Sequence, residues 1–141
     1  MSTRRFPLRV VLTVTTGRLL TAAKDGGNGI EDLYDILSWM TNDDLMTHQL
    51  PRAGRECAPW LLRWFPELDR CWSETVQACF KVLLDTFGAA GIEQYLKQCH
   101  DIYGCKAEYD VPQIPADDHD RKDAFDELIE MRGTDEGIII V

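Results

Sequence analysis

The 141-residue sequence is poor in basic residues relative to acidic ones and contains no long apolar run. Its 24 acidic and 15 basic side chains give a formal net charge of -9. This charge argues against a general nucleic-acid coat, because phosphate contacts need a basic surface. No apolar run approaches the roughly 20 residues of a membrane span. We therefore expect a soluble, unexported, cytoplasmic protein with neither a membrane nor a nucleic-acid polymer as partner.

Local signatures of common catalytic and metal sites are also missing. The three histidines fall in different segments and no cysteine pair has C-x-x-C spacing, so zinc-ligand spacing is absent. Neither a G-x-x-x-x-G-K-[ST] loop nor a G-x-S-x-G elbow occurs. The acidic cluster 117–120, which includes His119, could hold a divalent cation, but such loops are more often solvated or cap helices. We predict no enzyme, no catalytic residue, no metal and no cofactor.

The cysteine count is odd, which does not favour a secreted disulfide framework. The five are Cys57, Cys71, Cys79, Cys99 and Cys105. We expect all of them to be reduced thiols, several of them in the core.

The charge is distributed unevenly along the chain. Residues 1–24 hold five basic and no acidic side chains, whereas residues 106–141 hold 11 acidic and 4 basic ones. The basic segment can supply arginines to a phosphate site while the acidic body keeps the protein off DNA. Equally, the basic end can pair with the acidic end within the fold or across a subunit contact.

The pattern of the first half predicts a strand followed by helices. Residues 8–20 are rich in Val, Leu and Thr, which favours a strand with a bend at Gly17. A helix starting at Pro7 is the competing interpretation. Residues 22–29 form a loop by composition, and helical spacing follows over residues 29–41, with Asn28 and Glu31 as a capping box. A further helical stretch opens at Pro51, is broken or kinked at Pro59 and closes at Pro66.

The second half predicts two more helices and then a change of pattern. Ser73 caps a helix with six apolar positions that runs up to Gly88, and residues 91–103 form another that ends at Gly104. Residues 106–114 alternate as a strand, 116–122 form an acidic loop, 123–132 a short helix and 137–141 a terminal strand. The fold class is α+β, a single small domain over residues 1–141 with several short helices and a small antiparallel sheet. In the helix that Ser73 caps, the six apolar positions are Val76, Cys79, Phe80, Leu83, Leu84 and Phe87.

Two polar clusters are candidates for ligand binding. Residues 15–18 offer hydroxyls, a glycine and the Arg18 guanidinium, which can grip a phosphate with two hydrogen bonds. Residues 47–52 place His48, Gln49 and Arg52 ahead of a helix start, whose free N–H groups attract anions. Together they are typical of a phosphate and sugar binding set. The alternative is that these side chains cap helices.

The aromatic residues also allow two interpretations. The four tryptophans, Trp39, Trp60, Trp64 and Trp72, lie near the proposed helices, where core or subunit packing is favoured. Tyr34 or Trp39 could instead stack on a base.

Three sequence blocks carry a resemblance to a family. They are V-T-T-G-R-L-L from Val14, Y-D-I-L-S-W-M-T from Tyr34 and T-H-Q-L-P-R-A from Thr47, all within residues 8–68. In this order they resemble a family of small phage and prophage proteins. That family is similar to the phage anti-Thoeris sponges, which bind, without cleaving, the cyclic ADP-ribose isomer made by bacterial TIR-domain defence enzymes. Some relatives also capture cyclic oligonucleotides.

The resemblance implies a protein that sequesters a cyclic nucleotide immune signal in the host bacterial cytoplasm. It implies a homodimer or higher homo-oligomer with pockets where protomers meet. Carried onto matching positions, it makes Thr16, Arg18, His48, Gln49 and Arg52 candidate ligand or pocket residues. The glycine-rich loop, with its Lys24, departs from the pattern, so ligand preference could differ.

A rival hypothesis starts from the charge alone. An acidic protein can block a DNA-binding host factor by presenting carboxylates like a row of phosphates. The acidic region 117–136 motivates this alternative. It predicts a salt-sensitive complex with a basic protein and no small-molecule ligand.

Overall fold

The computed structural model describes residues 2–20 and 30–119. The predicted α+β class is confirmed: over these residues, six α-helices accompany a small antiparallel sheet of two strands. In chain order the elements are β1 (Thr3–Pro7), α1 (Leu8–Thr16), α2 (Ile30–Thr41), a short 3-10 turn (Thr47–Gln49), α3 (Leu50–Trp64), α4 (Glu67–Arg70), α5 (Glu74–Phe87), α6 (Ala89–Tyr103), β2 (Glu108–Pro112) and a second 3-10 turn (Ala116–Asp118).

The sheet joins the two ends of the described chain. Strands β1 and β2 pair antiparallel, with Phe6 opposite Tyr109. Alternation points Tyr109 and Val111 into the core, where both are at most 1% exposed. The strand predicted over 106–114 is therefore confirmed, whereas no pattern predicted β1.

The strand predicted over residues 8–20 is wrong, because Leu8–Thr16 is helical. The alternative interpretation, a helix that starts at Pro7, is correct to within one residue. Pro7 is the N-cap, with φ -64°, and Leu8 is the first helical residue. Six of its nine residues are β-branched, which locally favours a strand, but burial of side chains such as Val11 and Leu12 in the core stabilises the helix instead. The Thr13 hydroxyl donates to the Arg9 carbonyl at 2.8 Å, which accommodates this β-branched residue inside the helix.

Helix α2 confirms the helix predicted over 29–41. Helix α3 does not break at Pro59, contrary to one of the two predicted outcomes, a break or a kink. Pro59 lies inside α3 and is exposed, yet the helix continues to Trp64. Its missing N–H removes only one bond, to the Arg55 carbonyl. Burial of Cys57 and Leu61 on the opposite face holds the helix together across that position.

Helices α5 and α6 form a hairpin that confirms the two predicted helices. The Ser73 hydroxyl accepts a hydrogen bond from the Val76 amide at 3.3 Å, as expected for an N-cap. Gly104 ends α6 with φ 73°, in the left-handed region that favours glycine. The hairpin crosses closely at Gly91, where a Cβ would lie 2.3 Å from the Leu83 carbonyl oxygen.

The burial predicted for this hairpin is only partly correct. Val76 and Phe80 are buried, but Leu84 and Phe87 are 40% and 50% exposed. On α6, the apolar side chain of Ile102 is also 66% exposed. The apolar face of α5 is exposed near its C-terminal end. Periodicity therefore predicted the helix but not how much of its apolar face is buried.

Several predicted features lie outside the described residues. They are the loop 22–29 with its Asn28 cap, the helix 123–132 and the terminal strand 137–141. Within residues 2–20 and 30–119, no helix is long and apolar enough to cross a membrane.

Candidate ligand pocket

A pocket of about 430 Å³ lies between the end of α1, the middle of α2 and the first half of α3. We call it the central pocket. Its walls come from these three helices and the turn that follows α1. The lining residues are Thr13, Val14, Thr15, Thr16, Gly17, Leu19, Leu33, Leu37, Leu50, Pro51, Gly54, Arg55 and Ala58.

All three sequence blocks that carry the resemblance contribute to this pocket. The first block supplies residues 14–17 and 19, the second supplies Leu37, and the third supplies Leu50 and Pro51. These blocks are far apart in sequence, and the packing of α1, α2 and α3 brings them to one cavity. Residues from all three blocks therefore lie next to each other around the central pocket.

The wall contributed by α1 is a helix end closed by threonine hydroxyls. The Thr16 hydroxyl donates to the Leu12 carbonyl at 2.6 Å and accepts from the Arg18 amide at 3.1 Å. Gly17 adopts φ 71°, and its amide donates to the Thr13 carbonyl at 3.2 Å. Among the described residues, no heavy atom beyond the chain neighbours lies within 4 Å of a Cβ built at Gly17, so its backbone conformation favours glycine there.

The lining combines a mostly apolar surface with few polar groups, as is usual for small-molecule sites. Leucine, valine, proline and alanine side chains form the greater part of it. The charged group is the guanidinium of Arg55, whose residue is exposed at the pocket wall. Such a site can bury an apolar or aromatic body and offer paired hydrogen bonds to an anionic group.

Of the five predicted site residues, Thr16 is the one that lines the central pocket. Arg18 is exposed just past Gly17, and His48 is half-buried in the 3-10 turn before α3. Gln49 is only 2% exposed, and its side-chain oxygen accepts a hydrogen bond from the Met46 amide at 2.9 Å. For Thr16 and Gln49 these contacts match the capping alternative.

Arg52 belongs to a second polar group, beside the pocket. Its guanidinium donates to Glu56 at 3.1 Å, one turn along α3, and both side chains are about 15% exposed. Glu56 also lies 2.6 Å from Nδ1 of His119, and Asp43 lies 2.9 Å from Nε2 of the same ring. The side chain of His119 is 1% exposed. We call Asp43, His119, Glu56 and Arg52 the carboxylate–histidine clasp.

The clasp fastens the segment after β2 to α3 and to the turn after α2. Both ring nitrogens of His119 lie within hydrogen-bond distance of carboxylate oxygens, so the ring bridges Glu56 and Asp43. The sequence placed His119 in an acidic loop and gave no signal for these partners. Within residues 2–20 and 30–119, no three His, Cys, Asp or Glu side chains are arranged to hold a metal ion.

The aromatic candidates for base stacking have packing roles. The indole N–H of Trp39 donates to the Val111 carbonyl at 2.8 Å and thereby ties α2 to β2. The hydroxyl of Tyr34 hydrogen-bonds that of Thr47 and connects α2 to the turn before α3. Neither aromatic ring is among the residues that line the central pocket.

Cys57 is the thiol nearest to this region of α3. Burial, together with the negative charge of Glu56, raises the pKa of the Cys57 thiol to about 12. The thiol therefore stays neutral near pH 7 and behaves as a small apolar core residue.

The comparison with family models gives one match, to a domain of unknown function (DUF7736), over residues 6–70. The match covers just under half of the chain and includes every residue that lines the central pocket. No curated protein and no solved structure matches this chain.

Proposed function

We propose that this protein binds and sequesters, without cleaving, a small cyclic nucleotide signal in the central pocket. The observation that supports it best is the convergence of the three resemblance blocks on one cavity of about 430 Å³. That volume falls within the range of roughly 300–1,000 Å³ found for small-molecule sites. The proposed role is immune evasion by a phage-encoded sponge, as the resemblance implies.

The lining suggests which pocket residues contact the base of the ligand and which contact its phosphates. The leucine and proline side chains from α2 and α3 offer an apolar surface for a base. Arg55 replaces Arg52 as the proposed phosphate ligand on α3, because Arg52 is paired with Glu56. Arg18, exposed one residue beyond Gly17, remains a second proposed phosphate ligand.

The positions of Arg52 and Arg55 on α3 explain this change. Residues 51, 55 and 58 lie on one face of a helix with 3.6 residues per turn, whereas 52 and 56 lie on another. The first face lines the central pocket and the second forms the clasp. In the proposal, Arg52 acts by positioning the helix and Arg55 acts by contact.

The first experiment is a thermal-shift screen with cyclic ADP-ribose isomers and cyclic di- and trinucleotides. A ligand that binds only the folded state raises the melting temperature by mass action. The bound ligand is then released by heating the complex and analysed by chromatography. We expect it to be intact, since the proposed role excludes cleavage. A cleaved product would refute sequestration, and no shift with any member of the panel would refute the proposed ligand class.

A steric variant tests whether the ligand occupies the central pocket. A Cβ built at Gly54 has no heavy atom within 4 Å, so Gly54→Leu projects a side chain into open space at the pocket wall. We expect this variant to fold and to lose the thermal shift. Thr86→Leu, at an exposed position of α5, is the matched control and should keep it. Equal shifts in both variants would place the ligand elsewhere.

A further inference from the structure

Three buried cysteines meet where the α5–α6 hairpin joins the body of the protein. Cys71 follows α4, Cys99 lies on the last turn of α6, and Cys105 follows Gly104. Each of them is at most 1% exposed. The sulfur atoms of Cys71 and Cys105 are 3.0 Å apart, although the residues are 34 positions apart in sequence.

From this juxtaposition we propose that Cys71 and Cys105 form a disulfide under peroxide, as an oxidation site that fastens both ends of the hairpin. A disulfide needs a sulfur–sulfur distance of about 2.05 Å, so the two atoms must approach by roughly 1 Å. Rotation of the two side chains can supply this movement. The proposal is independent of the ligand proposed for the central pocket.

The backbone on both sides is already held in place. The hydroxyl of Tyr95 donates to the Cys71 carbonyl at 2.6 Å. The Cys105 amide donates to the Cys99 carbonyl at 3.2 Å, and the Cys105 carbonyl lies 2.7 Å from Nδ1 of His100. Because these bonds fix both residues, the thiols are poised next to each other without an ordering cost on oxidation.

The surroundings distinguish Cys71 from its two neighbours. Hydrogen bonds from the Cys71 thiol lower the pKa of Cys99 and that of Cys105, against the opposing effect of burial. Its hydrogen bonds with Cys105 and Cys99 raise the pKa of Cys71, which therefore keeps its proton. Since the thiolate is the nucleophile and the Cys105 sulfur lies 3.0 Å from that of Cys71, Cys105 is the attacking group and Cys71 the resolving group.

The proposed oxidation takes place in two steps, with hydrogen peroxide as the oxidant. The Cys105 thiolate attacks one peroxide oxygen, the O–O bond breaks, and a sulfenic acid and hydroxide form. The Cys71 sulfur then attacks the Cys105 sulfur, the S–OH bond breaks, and the Cys71 proton leaves with that hydroxide as water. Overall, two thiols lose two electrons and two protons, and one peroxide becomes two waters.

The consequence is a covalent loop that encloses α5 and α6. Helix α5 packs chiefly against α6, so the hairpin depends on its base for attachment to the body. Closing a loop of this length constrains the unfolded chain. We expect the oxidised protein to melt roughly 5–10 °C above the reduced protein.

Peptide mapping of the peroxide-treated protein tests the proposal. The Cys79→Ser variant serves as the starting protein, because Cys79 is the exposed thiol and could link two chains. Proteases that cut at acidic residues separate Cys71 from Cys79 at Glu74 and Cys99 from Cys105 at Asp101. We expect one linked pair of peptides, containing Cys71 and Cys105, with the mass of two hydrogens missing.

Variants make the assignment independent of mapping. Cys105→Ser in the same background should abolish both the cross-link and the increase in melting temperature, whereas Cys57→Ser should preserve both. A cross-link to Cys99, or free thiols at Cys71 and Cys105 after treatment, would overturn the proposal. Both of these results come from the parent protein alone, so they stand even if a serine variant folds poorly.

Discussion

The body of the protein and the α5–α6 hairpin are both helical, but they are held together differently. In the body, α1 packs against α2, α3, α4 and both strands, and its residues from Val10 to Val14 are all buried. In the hairpin, α5 packs chiefly on α6, and Leu84 and Phe87 remain exposed. Helices α1 and α5 are both amphipathic, and α1 is the better buried of the two. Periodicity therefore reports an amphipathic face, not how much of that face is covered.

The largest expected effect compares one leucine from each region. Leu12→Ala removes a side chain that is 0% exposed in α1 and should lower the free energy of unfolding by about 3–5 kcal/mol. Leu84→Ala, at a side chain that is 40% exposed in α5, should cost less than about 1 kcal/mol. Urea denaturation measures both. Equal losses would mean that the hairpin tip is covered in solution.

A pair of phenylalanines within α5 locates the boundary between base and tip. Phe80 packs edge-on against Trp72 and Tyr95, with ring centroids 5.5 and 5.0 Å apart. Phe80→Ala should cost about 3 kcal/mol, whereas Phe87→Ala should cost less than about 1 kcal/mol. Chemical denaturation with a tryptophan fluorescence signal suits this pair. A larger loss from Phe87→Ala would reverse the assignment of base and tip.

The third prediction concerns the contribution of the carboxylate–histidine clasp to the stability of the body. His119→Ala leaves the Glu56 and Asp43 carboxylates without the ring that both of them face. We expect a loss of roughly 1–3 kcal/mol, because buried carboxylates that lose a partner are costly. Gln98→Ala, at an exposed position of α6, is the control and should cost less. If the two variants lose the same stability, the clasp contributes little.

The smallest effects compare one glycine from each region, and they differ in sign. Gly91→Ala forces a Cβ to within 2.3 Å of the Leu83 carbonyl, so the hairpin must open slightly, at about 1–2 kcal/mol. Gly54→Ala in α3 meets no atom within 4 Å and should stabilise the helix by about 0.5–1 kcal/mol. Thermal melts of both variants resolve the sign. Stabilisation by Gly91→Ala would show that the two helices do not cross closely there.

Local signals were sufficient for α2, α5 and α6. Their apolar spacing, the Ser73 cap and the glycine at the end of α6 act within one or two turns of chain, so the sequence alone reveals them. Helix α1 differs from the predicted strand because its β-branched residues locally favour extended backbone, whereas packing against α2 and α3 stabilises the helix. At Pro59 the predicted break is wrong, whereas the alternative of a kink stays a prediction. The helix continues because packing at Cys57 and Leu61 offsets the lost hydrogen bond, and packing is not a local property.

The candidate site was predictable as a set of segments but not as a set of side chains. The first and third blocks were singled out, and both reach the central pocket. Proximity in sequence to His48 favoured Arg52, while helix geometry favours Arg55, which shares a face with Pro51 and Ala58. Helical spacing from Pro51 could have identified Arg55, which lies two residues beyond the third block. Nothing local could have revealed that His119 reaches across to Glu56.

The most direct test of the central claim is isothermal titration calorimetry with a cyclic ADP-ribose isomer against three proteins. These are the unchanged protein, Arg55→Ala, and Arg63→Ala, which removes an exposed arginine two turns further along α3. A charge-assisted hydrogen bond contributes about 1.5–3 kcal/mol, so Arg55→Ala should bind about 10- to 100-fold more weakly, while Arg63→Ala should match the unchanged protein. Equal affinity in all three proteins, or no heat of binding in the unchanged protein, would contradict the account.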